Sequence, residues 1–578
     1  MTAWRPLFGL ALGLCLAALP AAAREPCIRS ADPEGIALED SIEDEVAAAR
    51  AAGLYHEAAR HWSPDFALGG MVRVEATERG TAAAGSVRAA LPLIDAALAR
   101  AEAGARITEA GNAGAEIVIR LVDTANPATP EAWSRCDGRA CMVELFPVIW
   151  DGTPPEQLQF TLAHEMFHLV QQLAYPAVDQ CASYWWVEGT AEWFANLAVP
   201  GQDFSAASGF LAGWDRDSPI YRLIDLDYEA AAFWFWAADR FGPAFPLGLG
   251  EFGNSGLADP GAVAGLMSPA DWADLLVNYL GGALAYPDGR AALRDPDPGA
   301  VATPSGGAYT LGSNALTFPR AQLQLGPGLW RIRRSGGQPG SVAVAHDPAS
   351  GDWTEFLADG DETSVFFGCT TGGTLRMGAA GGPEAAGTQV AFAIEQSDET
   401  CSACWHGTWE LAGPRRPEDP PENVAPWLRY TGTGDGYQAT VRGDEPARIR
   451  HAFAQEGPHL TLRPDGAYVF SDPKTVTVTM SGADGPVTTT TVLETDARAG
   501  RYEINEGLFL YREQVARSRG VFDAVTPFLS FHQRFDDDWS FVEPLPQGFR
   551  VTCTGAELVL ENALTPSPDS TRVFRRVD

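Results

Sequence analysis

The chain has 578 residues, 46% of them apolar. That is ample for packed cores but too long for one, so about three to four domains are expected. Its 75 acidic residues outnumber 41 basic ones, of which only Lys474 is a lysine, and the net charge of −34 argues against nucleic acid or anionic lipid as a partner.

At the N-terminus Arg5 precedes the apolar run PLFGLALGLCLAALP (6–20) and the small residues Ala21, Ala22 and Ala23. This order predicts a secretory signal peptide over 1–23. The run is shorter than the roughly 20 residues a spanning helix needs, and no later segment is expected to be long and apolar enough to span either. Export to the periplasm or the extracellular space follows. Removing Cys15 with the signal leaves eight cysteines, an even count that predicts disulfides in an exported chain. Cys136 and Cys141 flank the tight turn DGRA and are expected to pair.

Residues 24–290 mix helical and strand patterns. Helices are expected over 37–62 and 86–103, and strands over 71–77, 115–123 and 141–150. Pro154 and Pro155 stand where a helix can start, and Pro176 closes it. A second helix is predicted over roughly 185–198, a third from about 219 to 241, and more helix to about 285. DPDPGAVATPSGG (295–307) then reads as a linker. Beyond it, short strands between Gly and Pro turns predict a β-sandwich over 301–398. Residues 401–578 carry a further set of strands.

The chemistry gathers on the first of the helices after Pro155. EQLQFTLAHEMFHLVQQL contains His164-Glu165-x-x-His168. Residues four apart on a helix share a face, so both imidazoles can grip one metal ion while Glu165 points at a water bound to it. Between His61 and His346 these are the only histidines. A third histidine just downstream is excluded, because those positions hold Gln171 and Ala174. A carboxylate must complete a three-ligand catalytic zinc site, with Asp179, Glu188 and Glu192 as candidates.

HExxH followed by W-V-E-G-T-A-E on a second helix resembles the gluzincin metallopeptidases, the thermolysin-like group, in their peptidase-MA-like branch. The resemblance spans roughly residues 110–245. It implies an α+β zincin-like domain in which His164, His168 and Glu188 bind one catalytic Zn2+. It further implies Glu165 as general base and Glu192 as the carboxylate that orients a ligand histidine. The segment opening at Tyr228 resembles the helix of gluzincin aminopeptidases whose leading tyrosine stabilises the oxyanion. Tyr228 is therefore the expected catalytic donor, with Tyr221 and Tyr184 as alternatives. The G-x-M-E-N strand that binds a free amine in those aminopeptidases is missing. The expected activity is therefore internal cleavage of a protein or peptide substrate, with the edge of strand 141–150 free to pair with it. The C-terminal part, opening on Gly407-Thr408-Trp409-Glu410-Leu411, resembles lipocalin-like barrels. A Cys404–Cys553 bridge would join the first and last strands of such a barrel.

The expected whole is a multidomain protein: signal peptide 1–23, gluzincin-like domain 24–290, β-sandwich 301–398 and lipocalin-like β-barrel 401–578. The competing function is an envelope-associated binding protein in which the zincin fold is scaffold and the β domains hold a ligand. Acidic clusters at Asp359-Gly-Asp361-Glu362 and Asp536-Asp537-Asp538 suggest Ca2+, but solvated turns are the plainer reading. The aromatics Tyr184, Trp185, Trp186, Trp193, Phe233, Trp234 and Trp236 are read mostly as core.

Overall fold

This computed structural model describes residues 41–577 apart from internal segments, the longest being 64–69, 124–130, 381–387, 398–402, 413–427, 454–458, 542–547 and 564–570. For the strands within 428–453, 474–496 and 511–541 it describes backbone pairing alone. The expected signal peptide, Cys27 and Cys181 lie outside the described residues. The chain divides into two compact units, one built from residues up to Ser208 with Ala237–Ala258, the other from Gly209–Trp236 with Asp259–Asp578.

The first unit is organised on a five-stranded sheet. Its strands are β1 (His56–Ser63), β2 (Gly70–Ala76), β3 (Glu116–Leu121), β4 (Ala132–Asp137) and β5 (Ala140–Leu145), in spatial order β1-β2-β3-β5-β4. The central three run parallel, and β1 and β4 are antiparallel edges. Central β3 reads EIVIRL, a near-continuous apolar run, as a strand covered on both faces must. The unit's helices include α1 (Ile42–Ala51), α2 (Ala84–Arg100), α3 (Ala103–Glu109) and, after a helical turn α4 (Pro147–Trp150), α5 (Pro155–Ala174). Helix α6 (Tyr184–Ala198) packs on α5.

Four expectations are corrected here. The helix predicted over 37–62 ends at Ala51, with Gly53 in the left-handed region (φ 68°) turning the chain, and 56–63 is a strand. The strand predicted over 141–150 stops at Leu145, because Pro147 has no N–H for a ladder and opens a helical turn instead. β5 lies between β3 and β4, so the edge assigned to it belongs to β4, a strand not expected. Gly80–Arg100, which includes α2, is long and apolar enough by composition to cross a membrane. In this fold Val87, Leu91, Ile94 and Leu98 of α2 are buried.

α5 is buried nearly all round. Pro154 and Pro155 start it, and Pro176 follows its end. Phe167 of α5 stacks on Phe194 of α6 with ring centroids 4.6 Å apart, and truncating such a ring to alanine costs about 3–5 kcal/mol. The indole N–H groups of Trp185 and Trp186 are satisfied by the carbonyls of Leu257 and Pro246, so both rings serve as core.

In the second unit, a five-stranded sheet (Trp353–Phe356, Val342–His346, Gly373–Ala380, Arg320–Leu325, Ala300–Ala302) and a four-stranded one (Glu362–Phe366, Leu329–Gly336, Thr388–Gln396, Ala308–Ser313) share one core. Leu323, Ala343 and Met377 enter it from the first sheet, and Ile332, Phe392 and Ile394 from the second. C-terminal to it, eight strands close a β-barrel. Gly485–Asn505 and Leu508–Val525 pair with each other and so seal the ring. Both run well past it and carry further strands on their outer ends. Trp409, Leu460, Tyr468, Phe509 and Phe574 pack inside.

Two disulfides have both partners among the described residues. Cys136–Cys141 joins directly paired residues of β4 and β5, as expected. Cys404–Cys553 is also formed, but Cys553 ends strand Gly548–Cys553 and not the last strand, Thr571–Arg576, which pairs directly with the first. Disulfides are in keeping with an oxidising, extracytoplasmic compartment. Asp361 accepts the N–H groups of Leu357 and Ala358, and Asp359 pairs with Arg334. That cluster is thus a hydrogen-bonded turn. The side chains of Asp536, Asp537 and Asp538 lie outside the described residues.

Candidate metal centre

α5 turns His164 and His168 onto one face a single helical turn apart, and α6 brings Glu188 up to them. His164 Nε2 lies 3.1 Å from His168 Nε2 and 3.1 Å from Glu188 Oε2, and the third side, His168 Nε2 to Glu188 Oε2, measures 3.3 Å. Ligand atoms about 2.0–2.1 Å from a tetrahedral zinc ion stand about 3.3 Å from one another. The triangle has that size. Among the described residues it is the one group of histidine, cysteine and carboxylate donors close enough to hold a metal ion. Asp179, the alternative carboxylate, is not in the set; its backbone N–H donates to Asn254.

Two imidazoles and a carboxylate packed this closely call for a positive charge among them. Both histidines are 8% exposed. Burial pulls His164 down, but hydrogen bonds to Glu188 and Glu192 outweigh it and hold the imidazole well above its ordinary range. His168 is raised too: burial opposes protonation, and the adjacent Glu188 carboxylate overcomes it. Burial pushes Glu188 up, yet the two histidines hold it far below the usual carboxylate range. The arrangement favours charged imidazoles beside an ionised Glu188.

Each histidine is backed on its other nitrogen. Glu192 Oε2 lies 3.4 Å from His164 Nδ1, and its Oε1 accepts a hydrogen bond from Ser205, which also receives one from Asn196. His168 Nδ1 donates to Gln171 Oε1 at 2.9 Å. Both contacts leave Nε2 facing the centre.

Glu165 is partly exposed beside His164, and Ser134 Oγ on β4 donates to its Oε2 at 2.7 Å. One step along β4, the Cys136 N–H donates to Gln172 Oε1, again at 2.7 Å. The edge strand is thus docked along the helix that bears the candidate ligands. Sequence reasoning named neither Ser134 nor Gln171 as functional. The chain was compared with protein-family models, with curated proteins and with solved structures. No match was found.

Tyr228 belongs to the second unit. The helix predicted over 219–241 is α-helical only from Ala231 to Phe241. Short 3-10 turns at Leu223–Asp225 and Tyr228–Ala230 precede it, because Pro219 and the extended Leu226 break the pattern. The Tyr228 ring stacks on Phe210, centroids 4.7 Å apart. Tyr221 is 54% exposed in the same unit, and Tyr184 is the first residue of α6.

Proposed function

We propose that this chain is an exported zinc-dependent metallopeptidase of the gluzincin type, cleaving internal peptide bonds. The observation that carries the reading is the His164–His168–Glu188 triangle with a carboxylate, Glu165, at its rim. Zinc held there would supply Lewis acidity, polarising a carbonyl and lowering the pKa of water to about 7.

The chain's own groups do the rest. Glu165, held by Ser134, takes a proton from the attacking water and delivers it to the leaving amine. Glu192 and Gln171 keep the Nδ1 atoms of His164 and His168 protonated, so that Nε2 of each presents a lone pair to the metal. The open side of edge strand β4, which carries Ser134, is where an extended substrate would pair by strand addition.

The test is casein cleavage by the full chain with and without a chelator, alongside zinc content. Chelator-sensitive cleavage is the expected result. Zinc binding without any peptide hydrolysis would favour the envelope-associated binding protein, with the zincin fold as scaffold.

A further inference from the structure

Gln171 is 1% exposed, one turn after His168 on α5, and both polar atoms of its amide are engaged. Its Nε2 donates to the Val187 carbonyl at 3.0 Å and to Thr190 Oγ1 at 2.9 Å, and Thr190 Oγ1 itself donates to the Trp186 carbonyl. These contacts settle which way the amide points. The Val187 carbonyl can only accept. The Thr190 hydroxyl, having spent its proton on Trp186, must accept as well. The NH2 end of Gln171 therefore faces α6, and its carbonyl oxygen faces His168. An amide oxygen has no proton to give, so His168 must carry a proton on Nδ1 and, in its neutral form, present the lone pair of Nε2.

We infer that Gln171 is a positioning residue for the metal centre: it sets the tautomer of His168 and ties that ligand to the segment of α6 that carries Glu188. The inference rests on the zinc reading above. The two Nε2 contacts run from the trailing turn of HExxH to Val187 and Thr190, the residues on either side of Glu188 and Gly189. A shift of α6 along α5 would strain the amide's bonds together with the ligand triangle. The two histidines are also held differently. His164 has a carboxylate behind it and His168 a neutral amide, so the charge stabilising bound metal from behind comes from the His164 side.

The test is zinc affinity of the full chain by competition with a chromophoric chelator, with thermal unfolding of the metal-free protein measured in parallel. Gln171→Leu is expected to weaken zinc binding about 10- to 100-fold, the range seen when the group behind a ligand histidine is removed. Gln171→Glu keeps an acceptor at Nδ1 and should hold more of the affinity than Gln171→Leu. Thr190→Val removes the hydroxyl that points the amide and should lower affinity by a smaller factor. If Gln171→Leu does not fold, the other two variants carry the test. Parent affinity retained within twofold in Gln171→Leu or, failing that variant, in both of the others would overturn the inference while leaving the zinc site intact. Equal losses in Gln171→Leu and Gln171→Glu would also overturn it, pointing to packing alone. No zinc binding by the parent chain would overturn the site reading and this inference together.

Discussion

The two faces of the five-stranded sheet are made by alternate residues of the same strands, yet they do opposite things. Ser134 and its partner Val143 point to the α5 side, where an apolar interior surrounds one concentrated cluster of donors. On the other side lie Arg135, Met142 and Val118, against which α1 sets Ile42 and Val46. There Glu75, Arg120 and Glu144 stand side by side on β2, β3 and β5. Arg120, its side chain 3% exposed, reaches Glu45 of α1 at 3.0 Å, Glu75 at 3.4 Å and Glu144 at 3.5 Å, and Arg50 and Arg135 close further pairs with Glu75 and Glu45. On this face every buried charge meets its opposite within the protein. On the α5 face the buried carboxylates of Glu188 and Glu192 meet the imidazoles of His164 and His168. The first network rests on arginines, which keep their charge; the second rests on histidines, which can also ligate a metal ion.

The comparison can be broken at either face. Glu165→Gln removes the proton carrier on the α5 side and should cut hydrolysis by about 10²–10⁴-fold with zinc content unchanged. Hydrolysis retained in that variant would remove Glu165 as general base. Arg120→Met leaves Glu75 and Glu144 short of their shared partner. It should cost about 3 kcal/mol in chemical denaturation without altering zinc stoichiometry, and a loss of zinc would mean the faces are coupled. Ser134→Ala deletes one hydrogen bond to a charged group, worth about 1.5–3 kcal/mol. It should lower kcat about tenfold or more with KM and zinc content held; an unchanged kcat would reduce Ser134 to a strand anchor.

The smallest effect is one of pH. In metal-free protein the raised His164 and His168 contribute stability that is full below the ordinary imidazole pKa of about 6.5. That stability is lost as pH rises through their higher folded-state values. The thermal midpoint in chelator should therefore fall as pH climbs above that point, and a His164→Asn/His168→Asn variant should lack this component. The same slope in the variant would place the titration elsewhere.

Much of the first unit was legible because its signals are local. The spacing in HExxH, the paired prolines before α5 and the apolar run of β3 each name an element without help from distant residues. β4 was missed although the sequence implied it. A bridge between Cys136 and Cys141 across a four-residue turn needs a strand on both sides, and only the second was read. Ser134 was lost with that strand. Gln171 was seen only as the absence of a third histidine, although a glutamine inside an apolar helix beside two histidines needs partners of its own. The barrel's closure depends on pairing between Gly485–Asn505 and Leu508–Val525 together with strands far apart in sequence, which no local pattern specifies. The corrected end of the Cys404–Cys553 bridge follows from that same long-range order.

The most direct measurement of the central claim is metal stoichiometry of the purified full chain by elemental analysis, for the parent and for Glu188→Ala. One zinc per parent chain and a sharp loss in Glu188→Ala are predicted. A parent without zinc, or equal zinc in both proteins, would contradict the assignment of His164, His168 and Glu188 as its ligands.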